Sequence, residues 1–158
     1  MLNKVRSLKI LNIILGILKM RIKLKLLKYN KKILKKLNIK KEDFEQFIFL
    51  KEINRKFNLN IKDIDIKELN LENKNLVTDI IEFLSKIKFN ALKVLNLFKN
   101  KISDIKVLEK VKFEKLELLN LNENNISNID ILEKVNFKEL KELGLSKNKI
   151  EDIKVWKK

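Results

Sequence analysis

LKVLNLFKNKI at residues 92–102, LELLNLNENNI at 116–126 and LKELGLSKNKI at 140–150 are variants of one phrase, each starting 24 residues after the last. A fixed period of this size is the signature of a stacked-repeat architecture. One supersecondary unit cannot bury its apolar face alone, so successive copies must cover one another. Such arrays present surfaces for binding and seldom carry catalytic sites.

The pattern common to the copies is LxxLxLxxNxI. Leu92, Leu95, Leu97, Asn100 and Ile102 fill it, as do Leu116, Leu119, Leu121, Asn124 and Ile126, then Leu140, Leu143, Leu145, Asn148 and Ile150. Two leucines spaced by two have strand periodicity, so both point inward and the residue between them points out. The Asn falls where the chain leaves the strand. Its amide can pair with backbone groups that no ladder partner reaches. The apolar spacing then changes to three, through Ile102, Ile105, Leu108 and Val111 and again through Ile126, Ile129, Leu132 and Val135. That period suits a short helical or 3₁₀ return. Phe113 and Phe137 close the turns.

The phrase resembles leucine-rich repeats, and the ISDI and ISNI returns, starting at Ile102 and Ile126, resemble the short-return type of phosphatase regulators and internalins. The resemblance implies an α/β fold: a right-handed solenoid with a short parallel sheet, short helical or 3₁₀ returns and an α-helical N-terminal cap. A degenerate copy, IKELNLENKNL, starts at Ile66, 26 residues before Leu92, and has Lys74 at the Asn position. Asn73 or Asn75 is the expected substitute. Residues 92–115 and 116–139 agree at 13 of 24 positions, including the solvent-type residues Glu109/Glu133 and Lys110/Lys134. Core demand does not explain matching surface residues; duplication does.

Three segments are expected: a basic, apolar arm at 1–28, a helical N-terminal cap at 29–60, and about 3.5–4 repeats at 61–158. The cap reading rests on residues 42–57, where acids open the segment and Arg55 and Lys56 close it, as the helix dipole favours. Phe47, Leu50, Ile53 and Phe57 make an apolar stripe that Phe44, Ile48 and Phe49 widen, which suits a lid over the open end of the repeat core. A shorter helix is expected near residues 30–37. At the other end, Trp156 is a candidate plug, and the fourth strand, near 142–146, is a candidate edge for self-association.

With no Cys and no His, thiol nucleophiles, His bases, catalytic triads and Cys/His zinc sites are excluded together. The only glycines are Gly16 and Gly144, so neither nucleotide-binding glycine motif is present. The expectation is a protein that is not an enzyme, with no cofactor and no metal. Charge is uneven. Residues 1–41 hold 14 of the 37 Lys and Arg and no acid, leaving 23 (37 − 14) basic and 21 acidic residues for the rest. The basic character therefore belongs to the arm.

The arm combines the apolar run ILNIILGIL at 10–18 with the alternating KMRIKLKL at 19–26. A mostly apolar run of nine residues falls far short of the roughly 20 that span a bilayer, and no small-residue cleavage site follows. Three readings stay open: contact with an anionic membrane through residues 1–28, an organelle presequence, or a segment that is disordered, packed, or translated from upstream of Met20. Nucleic acid is disfavoured, because Tyr29 is the one ring available for stacking there. The expected location is cytoplasmic, with membrane association as the alternative.

A ligand is expected on the outward positions around each LxL, which form the concave face of such arrays. The first column is Glu68, Val94, Leu118 and Glu142, the centre column Asn70, Asn96, Asn120 and Gly144, and the last Glu72, Phe98, Asn122 and Ser146. Val94, Phe98 and Leu118 make an apolar centre with carboxylates around it, the usual anatomy of a protein-binding patch. Phe98 is the best anchor, since aromatic side chains dominate interface energetics. The expected role is non-catalytic binding of a protein partner, as an interaction scaffold. Peripheral membrane attachment by the arm, or a duplicated fragment without independent function, are the alternatives.

Overall fold

A computed structural model describes residues 41–151. The arm at 1–28, the short helix near 30–37, and Ile153 and Trp156 lie outside the described residues. The chain divides into two compact units, residues 1–48 and 49–158. The described residues of the first are the opening turns of helix α1 (Lys41–Phe57). The second holds everything that follows.

Four three-residue strands, β1 (Glu68–Asn70), β2 (Val94–Asn96), β3 (Leu118–Asn120) and β4 (Glu142–Gly144), form one parallel sheet in the order β1-β2-β3-β4. The register is set by equivalent residues of each copy: Leu69 opposite Leu95, Leu95 opposite Leu119, Leu119 opposite Leu143. Each copy thus lays its strand beside the strand of the copy before it. A parallel pairing needs a crossover connection, and the period-three segments supply it. Returns two and three carry the expected 3₁₀ helices, Lys106–Lys110 and Asp130–Glu133. The first return has two residues more and forms an α-helix instead, α2 (Asp79–Ser85).

One apolar core runs behind the sheet. Leu92, Leu116, Leu119, Leu121, Ile102 and Ile126 are fully buried. Phe89 and Phe113, equivalent residues of neighbouring turns, are also buried and meet edge to face with ring centres 6.0 Å apart. The burial weakens at the last strand, where Leu143, Leu145 and Ile150 are half-buried. At the β1 end, Leu50 and Ile53 of α1 enter the same core. Phe49 stacks on Phe83 of α2 at 5.6 Å, and Phe57 meets that ring edge-on at 5.3 Å. Lys56 sits 4.2 Å above the Phe83 ring and bonds Asp79 at 3.2 Å. The helix expected over 42–57 therefore forms, and from Phe49 onward its apolar residues pack on the first copy.

The asparagines that recur in each full copy behave as their chemistry requires. The Asn100 amide donates to Leu71 O and Leu97 O, both at 2.9 Å, so it ties one copy to the next. Asn124 repeats this with Leu97 O and Leu121 O, and Asn148 with Leu121 O and Leu145 O. Each side-chain oxygen takes a backbone N–H from the preceding copy: Leu76, Ile102 and Ile126 respectively, all at 3.0 Å. The first copy departs from the expected substitution. Asn73 and Asn75 do not replace the missing buried amide; both are exposed, with φ of 52° and 55°. Asn100 of the next copy serves the Lys74 and Leu76 N–H groups, so the first copy needs no amide of its own for them. Asn tolerates the left-handed region better than most residues, which accounts for its presence at two such positions.

Among the described residues, no helix is long and apolar enough to cross a membrane.

Candidate protein-binding face

The strands bury one side in the core and turn the other outward. Glu68, Val94, Leu118 and Glu142 form a single row, because Val94 is the register partner of both Glu68 and Leu118, and Leu118 of Glu142. Asn70, Asn96, Asn120 and Gly144 form the next row by the same pairings. The third row, Glu72, Phe98, Asn122 and Ser146, lies two residues further on. Backbone bonds carry the alignment to it: Asn73 N to Phe98 O at 3.0 Å, Lys99 N to Asn122 O at 3.0 Å and Glu123 N to Ser146 O at 2.9 Å. The fold thus assembles all the predicted columns on one surface.

Val94, Phe98 and Leu118 are half-buried there, while Glu68, Glu72 and Glu142 are exposed. Val94 and Leu118 cover part of each other, as side chains on adjacent strands at one register position must. The centre row has a structural duty. The side-chain oxygens of Asn70, Asn96 and Asn120 accept the N–H groups of Glu72, Phe98 and Asn122, each at 3.0 Å. This local turn bends the chain out of the strand and leaves the amide nitrogens as the groups that face outward contacts. One of them, on Asn96, reaches Glu72 at 3.5 Å.

Gly144 breaks the row, and a neighbour takes over its role. The side-chain oxygen of Asn122 accepts the Ser146 N–H at 2.6 Å. A Cβ at position 144 would stand 2.7 Å from the Asn122 amide nitrogen. The missing side chain therefore makes room for the Asn122 amide to serve its neighbour's turn.

Two ladders of charge border the face. At the start of the strands Glu117 accepts Lys93 on one oxygen and Lys141, at 2.6 Å, on the other. These three residues occupy one position of three successive copies. The two ammonium groups hold the Glu117 carboxyl down at about 2, the bond from Lys141 contributing most. The same contact raises Lys93 above its ordinary value. At the far end of the strands Lys147 bonds Glu123 at 2.5 Å. Lys99, Glu123 and Lys147 share φ values of 54°, 53° and 54° at equivalent positions. The signal for both borders was in the sequence as Lys, Glu, Lys at 24-residue spacing, but its meaning needs the copies to be side by side.

A family model for leucine-rich repeats matches two copies over residues 114–158. The two copies within those residues are leucine-rich repeats by that match. No curated protein matches the chain. Leucine-rich repeats in general mediate protein–protein interaction, and as modules they are generally non-catalytic.

Proposed function

We propose that this leucine-rich repeat chain is a non-catalytic binding module whose protein partner docks on the outward, concave face of the sheet. In this reading the stacked copies are a right-handed solenoid, and α1 is its N-terminal cap. The carrying observation is the juxtaposition of Val94 and Leu118 in one row, with Phe98 two rows further along the same face and exposed carboxylates around. Apolar side chains on a face that the core does not need are the part of the sequence that folding leaves unexplained. An interface patch with an apolar centre and a polar rim has this anatomy. The site we assign comprises Glu68, Asn70, Glu72, Val94, Asn96, Phe98, Leu118, Asn120, Asn122, Glu142 and Ser146.

The test is capture of partner proteins by the native chain and by Phe98→Ala, with Val77→Ala as the control. Val77 is a large hydrophobic side chain, 47% exposed, that is not part of the three rows. Phe98→Ala is expected to lose the partner while the thermal midpoint falls only modestly, since surface substitutions usually shift stability by about 0.5 kcal/mol and truncating this half-buried ring adds only part of its packing to that. Val77→Ala is expected to keep it. Equal capture by native chain and Phe98→Ala removes the face as the site.

A further inference from the structure

The charges on this face differ in kind from those at its borders. The border lysines and glutamates neutralise one another across copies, through Lys93, Glu117 and Lys141 at one end and Glu123 with Lys147 at the other. The carboxylates on the face itself have no such partner. Among the described residues neither Glu68 nor Glu142 makes an ion pair, and Glu72 has only the Asn96 amide at 3.5 Å. These carboxylates stay unpaired although residues 42–158 hold 23 Lys and Arg against 21 Asp and Glu. They also stand at defined places. Glu68 and Glu142 end the row whose two middle members are Val94 and Leu118.

We infer that the partner presents an extended segment in which a large apolar side chain is bracketed by Lys or Arg. This rests on the reading of the sheet face as the docking surface and adds the partner's chemistry to it. The row runs across four strands, so its carboxylates stand about 14 Å apart at the usual spacing of neighbouring strands. An extended chain covers about 3.3 Å per residue, which sets the bracketing cations about four positions apart. Val94 and Leu118 take the apolar side chain between them, with Phe98 further along the same face. Complementary charge of this kind fixes register and rejects wrong partners more than it adds affinity. An acidic segment would put like charges together at both ends of the row.

The probe is a displayed library of random linear 12-residue peptides, panned on the full native chain, on Phe98→Ala, and on the double variant Glu68→Lys with Glu142→Lys. The native chain is expected to enrich peptides with a Leu, Phe or Trp bracketed by Lys or Arg. The double variant is expected to bind those peptides at least about tenfold more weakly and to enrich acidic brackets instead. Non-specific attraction to so basic a chain would favour acidic peptides from the outset, so basic enrichment is diagnostic. Apolar enrichment without charge preference, or acidic enrichment on the native chain, overturns the inference and leaves the docking face standing. Selection of the same peptides by native chain and Phe98→Ala overturns both.

Discussion

Asn124 shows what a single residue contributes. Its amide nitrogen donates to Leu97 O at 3.0 Å and Leu121 O at 3.1 Å, and its oxygen accepts Ile102 N–H at 3.0 Å. All three bonds are buried, and two of the three backbone groups belong to the preceding copy. A buried polar group left unpaired costs about 1–3 kcal/mol. Asn124→Ala is therefore expected to lower the unfolding free energy by about 3 kcal/mol, read from urea denaturation. Asn148→Ala should cost less, because its bonds are only partly buried and water can replace them. Equal losses at the two positions would show that burial does not set the cost. The asparagine positions were legible in the sequence, because no other role suits an amide repeated in register beside core leucines. Asn73 and Asn75 were not legible in the same way. Their value lies in backbone conformation, which a pattern of side chains does not display.

At the scale of the strand and its neighbours, differences between copies matter as much as identities. Residues 92–115 and 116–139 agree at most core positions, yet Lys93 and Lys99 become Glu117 and Glu123. A strict copy would have set lysine beside lysine, and like charges opposite one another destabilise a sheet. The reversal turns repulsion into the ladder Lys93–Glu117–Lys141. Its pH dependence has a definite sign. The Glu117 carboxyl is depressed to about 2, so its contribution is present above the ordinary value of 4.5 and is lost as pH falls from there toward 2. Lys93 is raised, so its share is present below its ordinary value and lost as pH rises through the higher folded value. The melting temperature of Glu117→Gln should fall below that of the native chain near neutral pH, and the gap should close as pH drops below about 4.5. A gap that stays constant down to pH 2 would mean that the carboxylate's charge is not what stabilises. The strands and 3₁₀ returns could be read from leucine and isoleucine spacing alone. The first return's α-helix was less legible, since two extra residues say only that the connection is longer, and tertiary packing of Phe83 against Phe49 and Phe57 then favours a helical turn.

The repeat array is governed by one alignment. Copies lie side by side with equivalent residues in register, so a core of leucines, a row of asparagines at its edge and an open row reading Glu68, Val94, Leu118, Glu142 arise together. The grouping of the candidate site was legible once the repeat was recognised, because register converts a 24-residue step into adjacency. Which of its charges are free was not, because that depends on where lysine side chains from neighbouring copies come to rest. The chain has no cysteine of its own, so the alignment can be tested by oxidation of an introduced pair. Parallel neighbours in register meet the Cα separation that a disulfide needs, and residues several positions out of register do not. The account predicts near-complete intramolecular cross-linking of Val94→Cys with Leu118→Cys and little cross-linking of Val94→Cys with Asn122→Cys. Equal yields from the two pairs, or a higher yield from the second, would contradict it.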